Sequence, residues 1–293
     1  MTSVHQGTLR VPEASLFYRS CGRGAPLLIL AGGDADADMT APLRDVLSSR
    51  YRVITYDRRG LSRSVINPGA PHPSIATHAE DAHRLLLELT GEAALVFGSS
   101  LGALVGLDLV ARYPEQVRLL VAHEPPCAEL LSDRERGAMT VAEQAIQAAF
   151  RREGIAGAMT LRAELGGIDP TDREPDVAAP TATPQQELNT AFLLSSDMPQ
   201  AVGYRLDAPA LDVQARKIIP AAGVSNRQTL PHHCAVALAE LLERPLVEFP
   251  GGHTGWLLRP KAFAARLAET FDAVDRPGRQ LSEGPSAPTD GRA

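Results

Sequence analysis

Cysteine is scarce: Cys21, Cys127 and Cys234 are the only three in 293 residues, and none stands in a Cys-x-x-Cys pair. So few and so scattered, they form neither a disulfide framework nor a metal cluster, and they imply reduced thiols in a cytoplasmic chain with no metal. No apolar run approaches the roughly 18 residues that span a bilayer, so no membrane role is expected. The opening "MTSVHQGTLRVPEASL" has neither the basic region nor the apolar stretch of a secretory signal. Lysine is nearly missing, with Lys217 and Lys261 alone, and the net charge of -6 gives nucleic acid no basic face to bind. Aromatic residues make up 4%, and Trp256 is the sole tryptophan. What remains is an ordinary globular composition, 44% hydrophobic and 22% charged, in a chain long enough to bury a sizeable core. The oligomeric state stays open, a homodimer included.

Short β-type runs alternate with helical patterns. "TLRVPEASLFYRS" predicts a hairpin, and "PLLILAGG", "RYRVITYD", "AALVFG" and "RLLVA" predict strands. Between Ile75 and Leu89, Ala82, Leu85, Leu86 and Leu89 mark one face of a helix. Such alternation predicts an α/β fold, a mostly parallel twisted sheet with helices on both faces. From about 126 to 205 the strand signals stop, which predicts a helical cap inserted into a core of residues 1–125 and 206–275. The polar, Pro- and Gly-rich residues 276–293 predict a disordered tail.

The sharpest motif is "VFGSSLGALVG", a G-x-S-x-G over Gly98, Ser99, Ser100, Leu101 and Gly102, between a strand and a buried helix. A tight strand-to-helix turn presents its central side chain under strain, and the helix N-terminus offers free amides to an oxyanion. Ser100 is therefore the candidate nucleophile. Of eight histidines, His253 in "FPGGHTGW" follows the last strand at the sheet edge where parallel α/β folds collect ligands, which makes it the candidate base. His232 and His233 begin a helix and read as a capping or surface pair.

With the elbow, the loops "LILAGGDAD" and "YDRRGLSRS" and the "PGGH" turn, the chain resembles the α/β-hydrolase family from Thr8 to about Val274. In that resemblance "LILAGGDAD" takes the place of the oxyanion loop, with Gly32 where the family has histidine. It implies oxyanion donors at the backbone of Leu101 and of either Gly33 or Asp34. Gly32, Ser99 and Trp256 fall beside them as pocket candidates, Trp256 equally as packing under the histidine loop.

Most of the family carries its acid after the strand that follows the cap. Here that stretch reads "IIPAAGVSNRQTLP", without a carboxylate. Asp207 and Asp212 precede that strand, Asp197 lies in the cap, and Glu248 lies inside the last strand. Glu124 does emerge at the right edge, at the end of "RLLVAHEPPC", directly after the strand next to the nucleophile's. Haloalkane dehalogenases place an acid there too, with an aspartate nucleophile that this chain lacks. Zearalenone-type lactonases are similar in having a serine nucleophile and a His-Glu-x-Pro at this strand end. The chain order Ser100, Glu124, His253 keeps the family order. Alternation along the strand turns His123 to the opposite face.

The resemblance implies a serine hydrolase of a small-molecule ester or lactone, using Ser100, His253 and Glu124 and no cofactor. Acyl transfer to an alcohol, C–C bond hydrolysis, or ligand binding on a hydrolase fold are the alternatives.

Overall fold

The structure is a computed structural model that describes residues 4–179 and 183–275. The predicted disordered tail, 276–293, lies outside the described residues. The hairpin forms as expected. Strands β1 (His5–Val11) and β2 (Ala14–Cys21) pair antiparallel around a turn in which Glu13 has φ of 63°. Then come β3 (Pro26–Leu30), α1 (Ala41–Leu47), β4 (Arg52–Tyr56), the two-residue β5 (Val65–Ile66), α2 (Ile75–Leu89), β6 (Ala94–Ser99), α3 (Leu101–Arg112) and β7 (Val117–His123). A helical insertion follows, made of α4 (Asp133–Leu165), α5 (Pro184–Phe192) and α6 (Met198–Gly203). The chain closes with α7 (Ala208–Val213), β8 (Ile218–Gly223), α8 (Leu230–Leu241), β9 (Val247–Phe249), α9 (Gly255–Leu258) and α10 (Pro260–Asp275).

The sheet order is β1-β2-β4-β3-β6-β7-β8-β9, with β5 beside β2, and every pair from β4 to β9 is parallel. Every residue of β3, β6 and β8 is buried, which explains why these strands read as unbroken apolar runs rather than alternating ones. The period of two sorts their side chains into two cores. Leu28, Leu30, Val96 and Leu120 face α2, α3 and α8, while Leu27, Ile29, Leu95 and Phe97 face α1 and α10. Among the described residues no helix is long and apolar enough to cross a membrane.

This order positions the site. β3 lies between β4 and β6, so the chain leaves β3 toward one side of the sheet and leaves β6 toward the other. Loops that diverge from adjacent strands open a crevice at their carboxyl ends, the switch point where such sheets bind ligands. The loops that border it carry Gly32–Asp34 and Ser99–Ser100.

The insertion has a small core of its own around Ile146, Ala158, Leu193, Leu194 and Met198. Its long helix α4 breaks at Gly154, whose φ of 73° and ψ of -161° no helix contains. A π-type turn, Leu193–Asp197, joins α5 to α6. Side chains tie the insertion to the helices that flank the sheet. The Tyr204 hydroxyl donates to Asp108 at 2.8 Å, and the Glu174 carboxylate accepts from the amides of Lys261 and Ala262 at 3.2 and 2.8 Å. Glu174 thereby caps the N-terminus of α10, where free amides and the helix dipole favour an anion.

Candidate active site

The turn between β6 and α3 is tight because its neighbours have no side chains to spare. A Cβ on Gly102 would sit 1.9 Å from the carbonyl oxygen of Leu30, and one on Gly98 would sit 2.6 Å from the carbonyl oxygen of Gly102. Close packing of helix on strand therefore demands glycine at both ends of the motif. Ser100 between them has φ of 53° and ψ of -123°, a conformation that costs an L-residue on the order of 1–3 kcal/mol and needs support. The support comes from β7: the Ser100 amide donates to the carbonyl of His123 at 2.8 Å. Gly32 presses on the elbow from the other side. A Cβ there would lie 2.5 Å from the Ser99 carbonyl oxygen and 2.7 Å from the Ser100 Cβ, so no histidine or other side chain fits.

Glu124 stands where β7 ends. It is fully buried, with φ of 49° although it precedes proline, which pushes a residue toward extended backbone. Its amide donates to Ala221 of β8 at 2.9 Å, which turns the carboxylate inward instead of along the strand. There it accepts three hydrogen bonds. The Gly223 amide reaches Oε1 at 2.9 Å, while Asn226 Nδ2 and His253 Nδ1 reach Oε2 at 3.0 and 2.6 Å. Asn226 belongs to the carboxylate-free loop after β8, so the loop that lacks an acid contributes a donor to the acid next door.

Burial alone would raise the pKa of Glu124. The hydrogen bond from His253, the neighbouring imidazoles and the Gly223 amide outweigh it and hold the carboxyl at about 2, below its usual 4.5. A folded-state pKa below the unfolded one gives stability that is complete above about pH 4.5 and is lost as pH falls through 2. Urea midpoints measured between pH 6 and pH 2.5 are expected to fall less steeply in Glu124→Gln than in the parent; parallel curves would mean that the carboxylate is not held this way.

His123 does turn to the opposite face. It packs among Phe97, Phe249 and Phe263, with ring centroids 5.5–6.5 Å away, and neither ring nitrogen has a partner among the described residues. Burial pushes its imidazole down to about 4, so it is neutral near pH 7. His232 corrects the surface expectation: it is buried, its Nδ1 3.1 Å from the Gly223 carbonyl oxygen and 4.0 Å from Glu124 Oε1. His233 does bridge outward, to Glu135 of α4 at 2.9 Å.

Two cavities meet over the elbow, and Gly33, Ser100, His253 and Arg162 line both. The first, about 1070 Å³ out to open solvent, is walled by apolar residues such as Met139, Ile146, Leu193 and Met198. The second, about 1400 Å³, reaches Gly32, Asp34, Ser99 and Trp256. Trp256 lines this cavity and is buried against the core that backs the histidine loop. Leu101 lines the first cavity at the start of α3, and the amides of Gly33, Asp34 and Leu101 have no acceptor among the described residues.

Arg58, in the "YDRRG" turn, was silent in the sequence as a site residue. Its guanidinium donates to the carbonyls of Ala31 and Gly33 at 3.0 and 2.6 Å and to Asp197 of the insertion at 2.7 Å. Asp197 also meets His78 at 3.2 Å, which leaves it fully engaged as a structural anion. Burial works against its charge, but Arg58 and His78 prevail and lower its pKa.

Known proteins agree with this architecture. The alpha/beta hydrolase fold family matches residues 25–255. The chain is 36% identical over 275 residues to the uncharacterized hydrolase YraK of Bacillus subtilis strain 168, covering 92% of this chain and 97% of that one. In fold it is similar to an esterase from Thermogutta terrifontis, with TM-score 0.67, 19% identity, and 92% and 99% of the two chains covered. It is similar to the same degree to the N-acyl homoserine lactonase AidH, with TM-score 0.66, 19% identity, and 92% and 98% covered. Fold, elbow and sequence matches converge: the chain belongs to the α/β-hydrolase family.

Proposed function

We propose that this chain is a serine hydrolase that cleaves a carboxylic ester or lactone through a covalent acyl-enzyme. The observation that carries this is the 2.6 Å hydrogen bond from His253 Nδ1 to a buried, ionised Glu124, with Ser100 and His253 lining the same cavities. The carboxylate fixes the proton on Nδ1, which leaves Nε2 free to accept the Ser100 proton. Ser100 Oγ attacks the carbonyl carbon. The imidazolium returns the proton to the departing alkoxide, and water then repeats the sequence to release the acid.

The tetrahedral oxyanion is held by the Leu101 amide, at the positive end of α3, and by an amide of the loop after β3. Gly33 lines both cavities with Ser100 whereas Asp34 lines only the second, which favours Gly33. The insertion forms the roof as a cap and supplies the apolar walls that receive the substrate.

A fluorophosphonate is expected to label Ser100 with one equivalent and to abolish hydrolysis of p-nitrophenyl esters. Absence of labelling at Ser100 would overturn the proposal.

A further inference from the structure

Among the described residues, Arg162 is the one arginine that lines both cavities. It lies near the C-terminal end of α4, half-buried, and its side chain turns inward to the floor of the cleft. Its guanidinium nitrogens lie 3.5 and 3.9 Å from the position a Cβ on Gly33 would take, directly beside the candidate oxyanion loop. Among the described residues its guanidinium has no hydrogen bond and no ion pair, unlike those of Arg58, Arg59 and Arg63 around the same loops.

The acids near it do not neutralise it. Glu143 lines the first cavity with it but forms no ion pair among the described residues, and burial raises the Glu143 pKa despite the pull of Arg162. Asp34 is taken by the Thr190 hydroxyl at 2.5 Å, and Glu187 stands exposed at the rim of the second cavity. An arginine on a surface helix ordinarily extends into water or pairs with an acid. An inward, unpaired guanidinium in a largely apolar cleft is a donor set awaiting an anion, and a planar fork suits a carboxylate.

We infer that Arg162 recognises a carboxylate on the substrate, so that the site takes esters or lactones bearing an acid group within a few bonds of the scissile carbonyl. The short span between Arg162 and Gly33 sets that spacing. This inference rests on the hydrolase proposal above.

The test measures kcat/KM for monoethyl malonate, succinate and glutarate against their neutral monoamide counterparts, followed by proton release. The parent is expected to prefer at least one acid over its amide. In Arg162→Met that acid-to-amide ratio is expected to fall about 30-fold or more, the scale of a lost charge-assisted hydrogen bond, and Arg162→Lys is expected to recover part of it. Free succinate or glutarate should slow fluorophosphonate labelling of the parent Ser100, and succinamide should not, a readout that needs no variant to fold.

Equal losses on acid and amide in Arg162→Met would overturn the inference, because the guanidinium would then serve the common chemistry or the fold. So would a parent that hydrolyses the amides with no preference for any acid; with Ser100 labelled, that result leaves the hydrolase proposal standing. Failure of labelling would remove both.

Discussion

Ser100→Ala is expected to lower ester turnover by about 10⁶, or about 8 kcal/mol of transition-state stabilisation, with the fold retained. Alanine removes one oxygen and leaves the elbow intact. The glycines at 98 and 102 that permit the turn, and the 2.8 Å bond from the residue 100 amide to His123, do not depend on the hydroxyl. What disappears is the oxygen that, on the proposed mechanism, bonds to the acyl carbon. His253→Ala should cost a similar amount, since members of such a unit fail together rather than additively. The measurement is kcat on p-nitrophenyl esters, with circular dichroism to verify folding. Residual activity above about one part in 10³ would assign the nucleophile elsewhere, because that much exceeds what an oxyanion site supplies without it.

Glu124→Gln is expected to cost about 10⁴ in kcat, the scale seen when a serine protease exchanges its triad acid for the amide. The reason is a donor count. Three donors converge on two carboxylate oxygens, and glutamine keeps only one oxygen. With its oxygen at the Oε2 position, the new amide nitrogen opposes the Gly223 amide. Turned over, it opposes Asn226 and His253. Asn226 can flip to answer, because its Oδ1 has no partner, but His253 can answer only by moving its proton to Nε2. The relaxed variant then presents Ser100 with a donor where it needs a base. Turnover within tenfold of the parent, with Ser100→Ala inactive, would show that another group holds the imidazole.

The sequence showed some of this and hid the rest for definite reasons. The elbow was legible because packing a helix on a strand that closely excludes side chains, and only glycine satisfies that at 98 and 102. The buried strands were legible because a parallel sheet covered on both faces needs continuous apolar runs. Glu124 emerged through the family resemblance, whose usual acid position after β8 is empty here, and from a strand that ended too abruptly.

The partners of Glu124 were not legible. Gly223 and Asn226 lie about a hundred residues away, and their relation to it exists only through the β7–β8 pairing. His232 was misread for a similar reason. It opens an apolar helix, and nothing local says that the turn beneath it is the one that carries the acid's donors. Arg162 lay in a polar helix whose inward face is set by the break at Gly154 and by packing of the insertion, neither of which a periodic pattern reports.

Arg58 has a mechanical consequence. One guanidinium grips two carbonyls of the loop after β3 and a carboxylate in the turn between α5 and α6. Any displacement of that turn is transmitted to the loop that carries the candidate oxyanion donors. On the proposed mechanism, the placement of the insertion and the placement of the oxyanion loop are therefore coupled through one side chain. Changes in the insertion that touch no substrate atom would then appear in kcat as well as in KM.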